Sequence, residues 1–91
     1  MSDVIIYTKP DCRWCEITKR RLDAYGLSYI EIDVEQDTEA YAKITDEWGF
    51  KVVPVVETPF DVWSDYNEDK IRQTKEDYDT EREEASNIFD F

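Results

Sequence analysis

DVIIYTKPDCRWCEITKRRLDAYG, Asp3 to Gly26, is the stretch that decides the architecture of this chain. Its first six residues are apolar and β-branched between polar flanks, the pattern of a buried strand. Pro10 ends the run. Beyond it, Trp14, Ile17, Leu22 and Tyr25 recur near helical spacing, and Gly26 suits the left-handed position that closes a helix. Both cysteines of the chain, Cys12 and Cys15, fall at the junction between strand and helix.

Working outward, LSYIEIDVE alternates with Ile30, Ile32 and Val34 on one face and Tyr29, Glu31 and Asp33 on the other, a second strand. Asp37 is placed to cap a second helix, with Ala40, Tyr41, Ile44 and Trp48 as its apolar stripe and Gly49 at its end. KVVPVVET reads as a strand carrying a proline. FDVW, Phe60 to Trp63, reads as a short strand after the turn at Pro59. Asn67 is placed to cap a third helix from Glu68 to about Tyr78, with Ile71 and Tyr78 facing inward. The order β-α-β-α-β-β-α specifies an α/β domain with a four-stranded mixed sheet flanked by three helices. The early alternation implies a parallel pair through a right-handed crossover, and the late adjacent strands an antiparallel hairpin.

We place the domain at residues 1–80 and an acidic C-terminal tail at 81–91. The tail ends in SNIFDF, an aromatic cluster suited to docking on a partner or on its own domain; a solvated end is the alternative. Ninety-one residues form one small domain, near the lower end at which a single core suffices. The net charge of −12 argues against nucleic acid and anionic membranes as partners. No apolar run approaches the roughly 20 residues of a membrane helix. MSDVIIYT lacks the basic start and long apolar segment of a signal peptide, so the expected location is the cytoplasm and the expected state a monomer.

The chain contains no histidine, which removes Ser–His–Asp and Cys–His catalysis. It also removes most zinc sites, because two thiols cannot supply four ligands. A metal or cluster shared between two chains, a chance pair of small residues, and a redox pair are the readings that C-x-x-C leaves. A purely structural disulfide would close too small a loop to restrict the unfolded chain much. Redox chemistry fits the surroundings. Cys12 lies at a helix start, where unpaired N–H groups and the helix dipole favour a thiolate. Lys9, Arg13, Lys19, Arg20 and Arg21 against Asp11 and Glu16 give this segment a balance of +3 in an acidic chain. Positive surroundings lower a thiol pKa, although Lys19, Arg20 and Arg21 also read as a solvated helix face. Cys15, one turn further in, is close enough to resolve a mixed disulfide formed at Cys12. C-x-x-C beside a βαβ unit reads as thioredoxin-like.

Four segments in order also resemble the glutaredoxins, most closely the NrdH-type redoxins, the glutaredoxin-like hydrogen donors of ribonucleotide reductase. IYTKPDCRWC resembles the family's first strand and active-site loop. CEITKR resembles its C-x-x-T-K-R. VVPVV resembles its cis-proline segment, and WSDYNEDKI its W-S-G-F-R-P-D-x-I. The resemblance implies a glutaredoxin-type thioredoxin fold, with Cys12 as nucleophile, Cys15 as resolving thiol and no prosthetic cofactor. It implies a cis Val53–Pro54 bond beside the disulfide, with the Val53 backbone pairing with substrate like an added strand. It further implies that Trp63 and Ser64 begin a hydrogen-bonded network between the last strand and the last helix; a core aromatic is the plainer reading of Trp63. Trp14 would meet the partner or cap the loop, and Lys9, Arg13 and Asp65 would line the substrate site.

The pattern also departs from the family. Asp65 stands where the NrdH-type motif has Gly, and Asn67–Glu68 where it has Arg-Pro. Glutathione-using glutaredoxins carry a Gly pair and then an Asp at the positions of Ser64–Asp65 and Asn67. The resemblance therefore implies a dithiol electron carrier re-reduced by thioredoxin reductase. A glutathione-dependent glutaredoxin is the alternative. A cluster carrier sharing an iron–sulfur centre between two chains, through Cys12 and glutathione, is the third.

Overall fold

A computed structural model describes residues 3–88, with side chains through Glu81. In chain order the elements are β1 (Val4–Thr8), α1 (Arg13–Ala24), β2 (Tyr29–Asp33), α2 (Thr38–Ala42), β3 (Val55–Glu57), β4 (Val62–Ser64) and α3 (Glu68–Ile88). A π-helical turn, Lys43–Glu47, continues α2. The strands form one mixed sheet in the order β2-β1-β3-β4. β1 runs parallel to β2 and antiparallel to β3, and β3 and β4 make the expected hairpin. This is the architecture read from the sequence.

The two central strands explain the apolar runs in the sequence, because both their faces are covered. Val4, Ile6 and Val56 point to one side and pack with Leu22, Leu27, Trp63 and Ile71. Tyr7 and Val55 point to the other and pack with Val34, Ala40 and Ile44. Strand β2 lies at the edge. Its faces alternate as expected, but Ile30 stays exposed at the far end of the strand.

Helix ends follow local chemistry. Gly26, at φ +71°, closes α1. Its N–H donates to Asp23 O and that of Leu27 to Leu22 O, the paired bonds that satisfy a helix C-terminus. The Leu27 and Leu22 side chains then meet in the core. Asp37 accepts from Ala40 N at 3.0 Å and Asn67 from Lys70 N at 3.1 Å, so both expected caps are present.

Four elements differ from expectation. The second helix widens into a π turn, closed by Trp48 N–H on Lys43 O. In an α-helix a four-residue step overshoots one full turn; in the wider turn it falls short. The two steps offset each other, so Ala40, Ile44 and Trp48 line up, whereas Tyr41 rotates out and is exposed. The proline-bearing strand is shorter than its apolar run: Val52 and Val53 lie before β3, and Val52 is exposed. The last strand begins at Val62, not Phe60, because Thr58 and Asp61 close a turn with each other first. Helix α3 continues past Tyr78 to Ile88, across the position at which we expected the tail to begin. Phe89 and Phe91 lie outside the described residues.

Candidate active site

β1 delivers the chain to the top of the sheet, and Asp11, at φ 59°, turns it into α1. Cys12 is the N-cap of that helix: its Sγ accepts from Cys15 N at 3.2 Å, and its carbonyl accepts from Glu16 N. A cysteine thus fills the place usually held by Ser or Asp, with its sulfur on an otherwise unpaired N–H. The two cysteines are joined in a disulfide. They are not equivalent. Cys12 is half-buried at the rim, whereas Cys15 is 1% exposed. An incoming group therefore reaches Cys12 and not Cys15.

The Val53–Pro54 peptide bond is cis, as the resemblance implied, and Pro54 is buried. The Val53 carbonyl oxygen lies 4.0 Å from Cys12 Sγ. This loop is held from β4. Ser64 Oγ donates to Val52 O at 2.9 Å, and Asp65 N–H donates to Pro54 O at 2.7 Å. Asp65 has φ 73° and its carboxylate accepts from Tyr66 N, so an acid occupies a turn position suited to glycine by bonding its own backbone.

Trp63 takes the core position that was its plainer reading, not the start of the network that the resemblance implied. It is 4% exposed in the core between the sheet and α1 and α3, and its Nε1 has no hydrogen-bond partner among the described residues. The network starts one residue later, at Ser64, and runs to the cis-proline loop. The last strand and last helix are instead tied by Lys70, which bonds Asp61 at 2.6 Å with its ammonium over the Trp63 ring.

The basic segment is also less positive than its sequence count. Lys19 pairs with Glu16 and with Glu31 of β2, and Arg21 forms a two-bond fork on Glu68 of α3. Burial pushes the Glu31 carboxyl up, but hydrogen bonds from Thr8 and Lys19 outweigh it and hold it below the usual range. Bonds from Arg21, Tyr66 and Tyr25 bring Glu68 down to about 2. Two of the five cations are therefore answered by carboxylates far away in sequence. Lys9 and Arg13 are exposed and line, with Cys12, an open groove of about 640 Å³ whose walls also carry Asp11, Glu16, Glu31 and Asp33.

Trp14 is 50% exposed and stacks on Tyr66, ring centroids 5.6 Å apart. The geometry thus gathers Lys9, Cys12, Arg13, Trp14, Cys15, Val53, Pro54, Ser64 and Asp65 around the disulfide and sends Trp63 to the core. It adds Tyr66 and the Arg21–Tyr25–Glu68 cluster, which the sequence did not single out. Glu68 lies 47 residues from Arg21, and no local pattern marks such a pair. The site can form and break a disulfide with an external sulfur at Cys12.

A family model described as Glutaredoxin matches residues 4–59. The chain is 34% identical over 70 residues to the glutaredoxin-like protein NrdH of Escherichia coli K12, covering 77% of this chain and 85% of that one. It is 40% identical over 57 residues to the Gene 56 protein of Mycobacterium phage L5, covering 63% of this chain and 55% of the phage protein. Among solved structures, the glutaredoxin-like protein NrdH-redoxin from Escherichia coli superposes with a TM-score of 0.71 at 34% identity, over 77% of this chain and 91% of that one.

Proposed function

The chain belongs to the glutaredoxin family of thiol–disulfide oxidoreductases, and from that premise we propose that it is an NrdH-type electron carrier. It reduces protein disulfides, those of ribonucleotide reductase first, and is itself re-reduced by thioredoxin reductase in the cytoplasm. The single observation that carries the chemistry is the unequal cysteine pair: Cys12 capping α1 at the rim, Cys15 buried one turn behind it.

The exchange follows from that geometry. The Cys12 thiolate, stabilised by the Cys15 N–H and the helix N-terminus, attacks one sulfur of the partner's disulfide. That S–S bond breaks, a mixed disulfide with Cys12 forms, and the partner's other sulfur leaves as a thiolate that takes up a proton. Cys15 then loses its proton and attacks the Cys12 sulfur. The Cys12–Cys15 bond closes and the partner's second thiolate departs. Two electrons have passed to the partner, and a dithiol reductant restores the pair. The Val53 carbonyl beside Cys12 is placed to receive an extended partner segment as a short added strand.

The choice of reductant rests on Ser64, Asp65 and Asn67. All three are committed to the protein's own backbone: Ser64 to Val52, Asp65 to Tyr66 and Asn67 to Lys70. Asn67, at the position where glutathione-using relatives carry the acid that holds the tripeptide, is a neutral amide that caps α3; the exposed Asp65 carboxylate stands two residues before it. The test is NADPH oxidation coupled to disulfide reduction, run in parallel with thioredoxin reductase and with glutathione plus glutathione reductase. Turnover only with glutathione would replace this reading by the glutaredoxin one. A Cys12→Ser variant is expected to be inert, and Cys15→Ser to accumulate a mixed disulfide.

A further inference from the structure

The cluster of Arg21, Tyr25, Tyr66 and Glu68 has no part in the exchange of sulfurs, yet it ends on Trp14, one of the two residues between the cysteines. Arg21 grips both Glu68 oxygens at 2.9 Å, and Tyr25 donates to the same carboxylate at 2.7 Å. Glu68 in turn accepts from the Tyr66 hydroxyl at 2.6 Å. Tyr66 is the platform under Trp14, and its neighbour Asp65 is bonded to the carbonyl of Pro54. Trp14 leaves half of its surface open beside Cys12. A carboxylate on α3 thereby fixes the orientation of an exposed indole on α1 and links it to the cis-proline loop.

We propose that Glu68 is a positioning residue for exchange with protein disulfides: through Tyr66 it presets Trp14 as a contact for the partner chain. The inference rests on the protein-disulfide reading above. Its physical content is preorganisation. A free indole at the rim must be ordered when a partner binds, whereas one already stacked on a pinned phenol loses little freedom. Stacking and side-chain ordering of this size correspond to about a threefold to tenfold change in apparent affinity.

The experiment uses the full chain, reduced beforehand, in single-turnover reaction with insulin as the protein disulfide and with 5,5′-dithiobis(2-nitrobenzoate) as a small one. For Glu68→Ala and for Tyr66→Phe, which keeps the ring but not the hydroxyl, the half-saturating insulin concentration is expected to rise about threefold to tenfold. The limiting rate and the small-disulfide rate are expected to stay within about twofold. Acrylamide quenching of the Trp14 emission, taken by difference from Trp14→Phe, is expected to increase in both. Glu68→Gln, which keeps one acceptor for Tyr66, should fall between them and the parent. In a Trp14→Ala background Glu68→Ala should add nothing. Lower stability with an unchanged half-saturation would make Glu68 merely structural and overturn the proposal, as would an equal loss on both disulfides. A parent protein inert toward insulin but active on the small disulfide would remove the protein-disulfide reading itself, and the inference with it.

Discussion

Replacing Glu68 by Gln in the oxidised protein removes one charge and little volume, so its effect on stability isolates the carboxylate. Glu68 is lowered from its ordinary 4.5 to about 2 by Arg21 first, then by Tyr66 and Tyr25. Taken at face value, that depression corresponds to about 3 kcal/mol. The Arg21 and Glu68 side chains, however, keep 42% and 32% of their surface in water. Ion pairs so placed give at most about 1 kcal/mol, and this is the figure we expect. The sign is fixed by linkage. A carboxyl whose pKa is lower folded than unfolded adds stability in full above its unfolded value, about 4.3, and loses it as pH falls through the folded value. Parent and Glu68→Gln should therefore differ by about 1 kcal/mol at neutral pH and down to about pH 5. They should converge between about pH 4.5 and 2, where protonated Glu68 matches Gln in shape and charge. Urea unfolding followed by circular dichroism, at constant ionic strength across this range, measures the difference directly. A gap that persists unchanged at the acid end would show that the charge is not its source. No gap at pH 7 would show that solvent screens the pair completely.

Three further outcomes follow from single contacts. Ser64→Ala frees the carbonyl of Val52, and we expect a loss of about 1 kcal/mol in urea unfolding together with slower insulin reduction; normal activity would mean that the cis-proline loop holds itself. Gly26→Ala meets no atom within 4 Å but must adopt φ +71°, so its cost is the left-handed conformation alone, about 1 kcal/mol by the same measurement; a neutral result would refute that assignment. Leu22→Ala opens a cavity beneath α1 at a site with 0% exposure and should cost about 3 kcal/mol, read from the urea midpoint; a loss below about 1 kcal/mol would show that Leu27 and Ile71 collapse into the space.

Where a fold property depends on neighbours in sequence, it was legible. Asp37 and Asn67 cap because a short polar side chain reaches an N–H three residues on, and Gly26 ends α1 because only glycine enters that conformation freely. The central strands were legible because burial on both faces leaves an unbroken apolar run. The π turn was not, since Ala40, Ile44 and Trp48 mark the same stripe whether or not the helix widens. The strand ends were missed where side chains override the apolar pattern, at Thr58 with Asp61 and at exposed Val52. At the site, the cysteines were legible from their spacing, and Pro54 from the resemblance of VVPVV to the family's cis-proline segment. Trp63 was not: a buried indole and a networked indole have the same sequence. The charge balance around Cys12 failed for a related reason, because Glu31 and Glu68 arrive from β2 and α3 to pair with Lys19 and Arg21.

The departures from the NrdH-type motif form one consistent set when placed in space. Asp65 replaces a glycine at a left-handed turn, and its carboxylate takes the Tyr66 N–H. Asn67 replaces an arginine and caps α3. Glu68 replaces a proline in the first turn of that helix, where a negative charge is favoured by the dipole, and from there it collects Arg21, Tyr25 and Tyr66. Each change supplies a bond that its neighbours use: the Asp65 turn presents Tyr66, Tyr66 meets Glu68, and the capped helix holds Glu68 in reach of Arg21. The losses should therefore overlap: Glu68→Pro strands the Arg21, Tyr25 and Tyr66 side chains whose four bonds Glu68 now accepts, so Asp65→Gly and Asn67→Arg should cost less in that background than in the parent. Urea unfolding of the three single variants and of the Asp65→Gly/Asn67→Arg/Glu68→Pro triple variant measures that coupling. Strict additivity of the three changes would mean that these bonds are independent and that the set has no internal logic.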